Sequence, residues 1–315
     1  MKKRVLGLVA AALAAVSLVS FAGCEVGFNA DKAITVIVRE AGSGTRSAFD
    51  EAVTDGNGNF LVSKDANGNP VYHSVKTAEE ASKTGIALTK VQSDPQAIGY
   101  VSLGSVNESI KTIKVNGYEP TVQNVLDGNY ILQRPFVIMT KKGQTMQPLT
   151  ADFLAFLKSD KMKAICDKEG VIFLTDGQKR ANEGETAIPV GTFTAQSALP
   201  TGDKIVISGS TSMEKLINEA IKEYANLYGK AIADIFATIK LEGSSVGRKA
   251  AIADTNGNVI GLSSAKVVNA QVDSFNVCLD GVAVIVNKKN DIVTDLTLAQ
   301  LYDIYTGKVT KFSQL

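Results

Sequence analysis

The sequence predicts an α/β protein whose ligand binds where strands end and helices begin. Two segments share one layout, an apolar run typical of a buried strand followed by a hydroxyl-rich turn that opens a helix: ITVIVREAGSGTRSAF at 34–49 and KIVISGSTSMEKLI at 204–217. A third such opening, GSSVGRKAA, occupies 243–251. Because further strands and helices alternate along the chain, we expect parallel sheets with the ligand at the carboxyl ends of the strands.

The helix openings have the chemistry of an anion site. The first N–H groups of a helix have no partner within it, and hydroxyls beside them add neutral donors. Glycine lets the turn bend where a Cβ would clash, and an arginine at a strand end adds a guanidinium fork. The predicted anion ligands are Arg39, Ser43, Gly44, Thr45, Ser210, Thr211, Ser212 and Ser244.

Residues 1–24 are predicted to be a targeting segment, because three basic residues precede an apolar run at 5–22. The closing residues FAGC resemble a lipoprotein cleavage box, in which Cys24 is lipidated and becomes the new N-terminus. Phe21 stands where that box usually has leucine. An ordinary signal peptide or an uncleaved anchor is the alternative.

The charge argues against a nucleic-acid partner. Removing the three basic residues of the leader changes the formal net charge from +1 to −2, and no cluster of Lys and Arg remains. An anion receptor without a positive surface must hold its ligand by local donors. The roughly 290 residues after the leader exceed one ordinary core, which favours two lobes.

The hydrophobic pattern predicts the other elements in chain order. They are a helix at 77–92, strands at 97–103 and 134–140, a helix at 149–166, a linker at 176–203, a helix within 207–227, strands within 234–243, 259–264 and 275–287, and a closing helix at 296–307.

Three Asp-x-Asn-Gly-Asn loops, at 55–59, 65–69 and 254–258, resemble calcium loops but lack the acidic twelfth residue, so Asn-Gly turns that close hairpins are the better interpretation. Cys166 and Cys278 are expected to be buried free thiols rather than a disulfide. No spacing typical of metal ligands is present.

Several of these stretches together resemble the phosphate-binding subunit of bacterial phosphate ABC transporters. The matching motifs are VREAGSGTRSAF (38–49), AIGYVSLGS (97–105), RPFVIMTKK (134–142), ISGSTSMEKL (207–216), GSSVGRKAA (243–251), LDGVAVIVNKKN (279–290) and LTLAQLYDIYTGKVTKFSQL (296–315).

The resemblance implies a two-lobed fold of the type II periplasmic-binding-protein class, with the ligand cleft between the lobes. It implies a monomeric receptor, without cofactor or catalytic activity, that captures inorganic phosphate and passes it to the permease subunits of an ABC importer. Lipidated Cys24 would tether it to the outer face of the cell membrane. Ser264 aligns with a ligand-accepting aspartate of some relatives.

Two departures from the family pattern leave the ligand open. Ala41 replaces an aspartate that orients the arginine in many relatives, and Ser264 cannot act as a carboxylate acceptor. Asp280 or Glu40 is a possible acceptor instead. Another oxyanion, such as sulfate or molybdate, and a surface lipoprotein that has lost its ligand are therefore the alternatives.

A serine acyltransferase of the β-lactamase type is the strongest enzyme alternative. Residues 212–215 spell SxxK and 83–85 spell KTG, but the KTG precedes the SxxK and no SDN lies between them. Ser43 lacks a GxSxG elbow and a nearby histidine base. These motifs therefore argue against catalysis.

The order of the motifs predicts a circular permutation, because the GSGT half precedes the GSTS half here and follows it in the common form of the family. One lobe would combine 32–130 with 284–315 and carry the GSGT loop. The other would be continuous at 131–283, with 134–140 and 281–287 as the crossing strands. Leu315 is then expected near the start of the strand at Ile34, with 176–203 as the link that joins the family's usual two ends. Truncation of a longer tandem protein, in which 284–315 would begin another lobe, is the alternative. Arg46 and Arg248 are expected to be solvated helix residues.

Overall fold

The structure is a computed structural model that describes residues 27–67, 69–174 and 190–315. The leader at 1–24, with Cys24, lies outside the described residues, as does the 176–189 part of the predicted linker. Residues 190–203 form no regular helix or strand. No helix among the described residues is both long and apolar enough to cross a membrane.

The strands, in chain order, are β1 (Thr35–Arg39), β2 (Val62–Lys64), β3 (Pro70–Tyr72), β4 (Glu79–Ala81), β5 (Ala97–Ser102), β6 (Ile110–Thr112), β7 (Lys114–Val115), β8 (Gln133–Lys141), β9 (Ile172–Phe173), β10 (Ile205–Gly209), β11 (Phe236–Leu241), β12 (Val259–Ser263), β13 (Val272–Asn287) and β14 (Asp295–Leu296).

The α-helices are α1 (Gly44–Ala52), α2 (Thr84–Ser93), α3 (Val122–Leu126), α4 (Pro148–Leu157), α5 (Asp160–Glu169), α6 (Glu214–Leu227), α7 (Ile232–Ile235), α8 (Ser244–Ala253) and α9 (Leu298–Thr306). Short 3₁₀ turns occupy Leu103–Ser105, Thr211–Met213 and Phe312–Gln314.

One mixed sheet organises the molecule, in the order β11-β10-β12-β8-β13-β5-β1-β4. The predicted α/β class is confirmed, but the expectation of purely parallel sheets is wrong. The flanking pairs are parallel, whereas β8 and β13 run antiparallel to each other and to their neighbours. These two central strands carry the chain between the two flanks.

Two large hydrophobic clusters lie along this sheet. The first packs α4, α5 and α6 against β8, β10 and β12, with Phe153 in edge contact with Tyr224 at 4.9 Å between ring centroids. The second surrounds β1, β5, α1 and α9, where Phe49 stacks on Tyr100 at 4.0 Å. β13 contributes to both, with Cys278 in the first and Val284 in the second. It therefore ties the two clusters together as one continuous strand.

Several predicted elements have different bounds in the structure. The helix expected at 77–92 begins only at Thr84, because residues 79–81 pair as β4 with β1. The helix expected at 149–166 is divided into α4 and α5, and Ser159 caps the second by accepting from the N–H of Lys161. Tertiary pairing and capping override the helical periodicity in both places.

The Asn-Gly turns behave as predicted at two of the three loops. Residues 55–59 join antiparallel segments, and the strands β2 and β3 on either side of the second loop pair antiparallel. Gly68 of that loop lies outside the described residues. The prediction is wrong at 254–258, which links α8 to parallel β12, and there Asp254 accepts hydrogen bonds from the N–H groups of Asn256, Gly257 and Val259. Asp55 and Asp65 accept similar main-chain bonds in their own turns, so the third loop differs in what it connects and not in how its aspartate acts.

Cys166 and Cys278 are buried free thiols, as predicted. Burial raises the pKa of the Cys278 thiol well above its ordinary value. Across 27–67, 69–174 and 190–315, no group of three or more His, Cys, Asp and Glu side chains is placed to hold a metal ion.

The last described residues pack against the residues that precede β1. Ala33 bridges Lys311, the N–H of Ile34 donates to the carbonyl of Thr310 at 2.8 Å, and the N–H of Ser313 donates to the carbonyl of Ala30 at 2.9 Å. The C-terminal segment and the entry into β1 are therefore neighbours, which is the arrangement that the predicted permutation requires. The permuted chain order itself stays a prediction.

Candidate anion-binding site

Arg39, the last residue of β1, lies at the centre of a cluster of hydroxyl groups and is only 1% exposed. Its Nη2 donates to Thr211 Oγ1 at 2.9 Å, and its Nη1 donates to Thr84 Oγ1 at 3.1 Å and to Thr45 Oγ1 at 3.4 Å. A buried guanidinium thus faces three hydroxyls that come from helix openings far apart in the chain.

The hydroxyls also contact one another, and these contacts join elements that belong to the two different hydrophobic clusters. Thr45 Oγ1 and Ser212 Oγ are 2.7 Å apart, so the opening of α1 meets the 3₁₀ turn that leads into α6. Beside them, Ser210 Oγ donates to Ser264 Oγ at 2.8 Å, and Ser264 Oγ lies 3.3 Å from Ser244 Oγ. The structure therefore brings the predicted residues of all three helix openings into one buried cluster.

The backbone around the cluster approaches so closely that side chains would clash. A Cβ on Gly44 would lie 2.5 Å from the carbonyl carbon of Ser264, and one on Gly42 would lie 2.7 Å from Ser245 Oγ. Gly42 also has a φ of 86°, which favours glycine. Ser43 serves α1 as its N-cap, accepting from the N–H of Arg46 at 3.4 Å. The two glycines therefore permit the close approach of the backbone, and Ser43 caps the helix that carries Thr45.

Thr84 is a member of the cluster that the sequence argument missed. It opens α2, is 5% exposed, and has its Oγ1 3.4 Å from Thr211 Oγ1 and 3.5 Å from Ser212 Oγ. In the sequence Thr84 belongs to the KTG triplet and lies inside the helix predicted at 77–92. A helix start at Thr84 is the signal that identifies it, and this start depends on the pairing of 79–81 with β1.

The acyltransferase motif does not assemble. Lys215 Nζ is ion-paired with Glu169 Oε2 at 2.7 Å, and the lysine side chain is 62% exposed. Ser212 instead bonds to Thr45 in the hydroxyl cluster. The lysine of the SxxK sequence is therefore engaged elsewhere and is not presented to the serine as a base.

Asp280, a predicted possible acceptor, is already engaged by other partners. Its Oδ2 accepts from Arg134 Nε at 3.1 Å and Nη2 at 3.0 Å, and its Oδ1 accepts from Ser102 Oγ at 2.8 Å. Burial raises the pKa of Asp280 while the Arg134 guanidinium opposes that change. This buried ion pair joins β8 to β13, and none of its hydrogen bonds reaches the hydroxyl cluster.

Glu40 is the carboxylate that does contact the site arginine. Its Oε2 accepts from Arg39 Nε at 2.9 Å and its Oε1 accepts from Arg39 Nη2 at 3.0 Å. This bidentate contact fixes the plane of the guanidinium and offsets its buried charge. Glu40 thereby supplies the orienting partner that Ala41 cannot provide.

Arg46 differs most from its predicted role. It was expected to be solvated, but it is 6% exposed and its Nη1 donates to the main-chain carbonyl of Arg39 at 2.7 Å. The long-range packing of Tyr72 over its guanidinium, 3.9 Å from atom Cζ to the ring centroid, buries it. Arg248 is exposed on α8, as predicted.

The chain is similar to known proteins over nearly its whole length. The family described as the PBP superfamily domain matches residues 6–161 and 194–315. The phosphate-binding protein PstS 2 of Streptococcus agalactiae serotype V is 35% identical over 300 residues, which are 93% of this chain and 92% of that protein. PstS 2 of Streptococcus pneumoniae serotype 4 is 32% identical over 91% of this chain and 89% of that protein.

Among solved structures, a phosphate-binding protein of a phosphate ABC transporter from Streptococcus pneumoniae TIGR4 matches with a TM-score of 0.64 and 30% identity. The match covers 90% of this chain and 99% of that one. Both the fold and the sequence similarity therefore extend over nearly the whole chain. The chain belongs to the PBP superfamily, within the family of the phosphate-binding proteins named PstS.

Proposed function

We propose that this protein captures inorganic phosphate outside the cytoplasm and delivers it to the permease subunits of an ABC importer, without catalysing a reaction. The observation that carries the proposal is the convergence of Arg39 with the hydroxyls of Thr45, Thr84, Thr211 and Ser212 in one buried cluster. The names of the relatives, which are phosphate-binding proteins, support phosphate as the ligand.

The proposed site has one charged hydrogen-bond donor group and several neutral ones. Arg39 would give charge-assisted hydrogen bonds through Nη1 and Nη2, since Glu40 already occupies Nε and shares Nη2. The threonine and serine hydroxyls would give neutral bonds, with further N–H donors from the first turns of α1 and α8. Ser210, Ser244 and Ser264 would complete the ring of donors beside them.

Binding requires the two halves of the cluster to part and close again. Thr45 Oγ1 and Ser212 Oγ are 2.7 Å apart, which leaves no room for an anion between them. We infer a lobe at 131–283 that moves against a lobe formed by 32–130 and 284–315. The crossing strands are the central pair β8 and β13, and such element ends are common hinges.

We also infer that the chain order is circularly permuted, with the 176–203 segment joining what are the two ends in the common form. The contacts of Ser313 and Ile34 with the opposite end of the chain support this proposal. A rearranged chain that starts at Lys204 and continues from Leu315 into Ala30 should then fold and bind phosphate. A rearranged chain that stays unfolded would contradict it.

The location follows from the leader. Lipidation of Cys24 would hold a monomeric receptor at the outer face of the membrane, close to its permease. Globomycin-sensitive processing and incorporation of labelled palmitate into wild type, but not into Cys24→Ala, would support this anchor. Release of the processed wild-type protein into the medium would argue for an ordinary signal peptide.

The ligand is tested by calorimetric titration of residues 25–315 with phosphate, sulfate and molybdate. Phosphate should bind with micromolar or tighter affinity, about −8 kcal/mol. At 1 mM it would then stabilise the fold by about 4 kcal/mol and raise the melting temperature. Heat of binding with sulfate or molybdate but not with phosphate would favour another oxyanion as the ligand. No heat of binding with any of the three anions would favour a protein that has lost its ligand. Arg248→Ala, which changes an exposed arginine, is the matched control and should bind like wild type.

A further inference from the structure

Side chains hold the main-chain groups of Arg39 on the side of β1 that faces β5. On the other side β4 still pairs with β1, with Ala81 in register with Arg39. β1 pairs with β5 only through Thr35 and Val36, three residues before Arg39. Beyond that point the N–H of Arg39 donates to Tyr100 Oη at 3.2 Å, and its carbonyl accepts from Arg46 Nη1 at 2.7 Å. On the β5 side, two side chains therefore take the place of the ladder at the residue that carries the guanidinium.

Arg46 is itself fixed from several sides. Its Nε donates to Asp50 Oδ2 at 3.2 Å one turn along α1, its Nη1 lies 3.7 Å from Glu80 Oε2, and the ring of Tyr72 covers its guanidinium. Asp50 is fully buried. A guanidinium can bind a carboxylate and a carbonyl at once because its donors form a rigid planar fork, which a lysine ammonium lacks.

The burial of this group calls for an explanation beyond stability. A buried ion pair is often no more stabilising than an apolar pair of the same volume. Here the Arg46 end of the pair reaches the carbonyl of Arg39. Within the part of the chain that the structure describes, the side-chain hydrogen bonds of Arg46 go to that carbonyl and to Asp50, while its main-chain N–H donates to the N-cap Ser43. The Arg46 side chain therefore contacts the site through the main chain of Arg39.

We propose that Arg46 is a positioning residue, which holds the end of β1 so that the Arg39 guanidinium points at the anion. The proposal rests on the phosphate-binding function proposed above. Without Arg46, the carbonyl of Arg39 loses this partner, and the strand end is held less firmly, by its pairing with β4 and by Tyr100. The Arg39 side chain then spends less time in the geometry that the anion needs, and affinity falls although every group that touches the anion is still present.

The test is a double-mutant cycle on phosphate affinity, measured by calorimetry on wild type, Arg46→Met, Arg39→Ala and the double variant. Methionine keeps much of the apolar stem and removes the fork. Arg46→Met should weaken phosphate binding on the order of tenfold. In the Arg39→Ala background the same change should alter affinity by less than about twofold, because the residue through which it acts is gone. Arg248→Met is the control for loss of an arginine and should leave the affinity unchanged.

The outcomes separate this proposal from the function on which it rests. Wild type that binds no phosphate overturns both. If wild type binds phosphate and Arg46→Met binds it equally well, only the positioning role is overturned. The positioning role is also overturned if Arg46→Met lowers phosphate affinity equally in wild type and in Arg39→Ala. If Arg46→Met does not fold, Arg46→Met with Asp50→Asn removes the ion pair without leaving a buried charge, and the same comparisons apply.

Discussion

Replacing Arg39 by alanine should cost more phosphate affinity than any other single change in the hydroxyl cluster. The guanidinium directs Nη1 and Nη2 at Thr45, Thr84 and Thr211, and an anion among these hydroxyls would receive both groups. Two charge-assisted bonds of about 1.5–3 kcal/mol each, less the part that water recovers, give a loss of about 2–5 kcal/mol. This corresponds to a dissociation constant weaker by about thirtyfold to several thousandfold.

The assay is calorimetric titration with phosphate at 25 °C and constant ionic strength. Because Arg39→Ala leaves Glu40 without its partner, Arg39→Ala with Glu40→Gln is measured beside it and should show a loss of the same order. Arg39→Lys keeps the charge but not the fork, and it should fall between wild type and alanine. An Arg39→Ala dissociation constant within threefold of wild type would refute the reasoning and place the anion elsewhere.

Three further predictions concern groups around the cluster. Thr84→Ala should weaken phosphate binding by about 1–2 kcal/mol, as for one neutral hydrogen bond. Thr89→Ala, on the exposed face of α2, is the control and should bind phosphate like wild type. A Thr84→Ala protein with the wild-type affinity in calorimetric titration would show that Thr84 is not part of the site. Gly44→Ala should lower affinity at least about tenfold, because its Cβ would lie 2.5 Å from main chain across the cluster. A Cβ on Gly85 would meet no described atom within 4 Å beyond its chain neighbours and the backbone of its own helix, so Gly85→Ala should bind as wild type. A Gly44→Ala protein of full affinity would contradict the closed arrangement. Burial raises the pKa of Asp50 from 3.8 to about 7, so the folded state holds this proton more tightly than the unfolded state. The free energy of unfolding should therefore fall as pH rises from about 4 to 7. In urea unfolding, Asp50→Asn should show a smaller fall than wild type. The same dependence of unfolding free energy on pH in both proteins would show that Asp50 has an ordinary pKa.

Local signals were enough to predict the core of the candidate site. The hydroxyls at 43–45, 210–212 and 244 each follow an apolar strand directly, and the structure places them at helix openings in one cluster. A strand-to-turn-to-helix pattern is encoded in neighbouring residues, so it can be recognised without knowing the tertiary structure. The convergence of the three openings was expected from the topology of parallel sheets. In the structure it also depends on β8 and β13, which lie between the two flanks of the sheet and whose antiparallel direction could not be predicted from the sequence.

The residues that were missed or misjudged depend on partners distant in the chain. Thr84 joins the cluster because β4 pairs with β1, and Arg46 is buried because Tyr72 covers it. Asp280 is engaged by Arg134, which lies 146 positions away. Composition and periodicity carry no information about such pairs, so burial and ion pairing of individual charged residues could not be predicted.

The central claim is that the cluster around Arg39 is the phosphate site, and a crystal structure of the protein grown with phosphate tests it most directly. We expect one phosphate within hydrogen-bond distance of the Arg39 guanidinium and of the hydroxyls of Thr45, Thr84 and Thr211. The 2.7 Å contact between Thr45 and Ser212 should be replaced by contacts to the anion. A phosphate bound elsewhere, with the contacts between Arg39 and these hydroxyls unchanged, would contradict the claim.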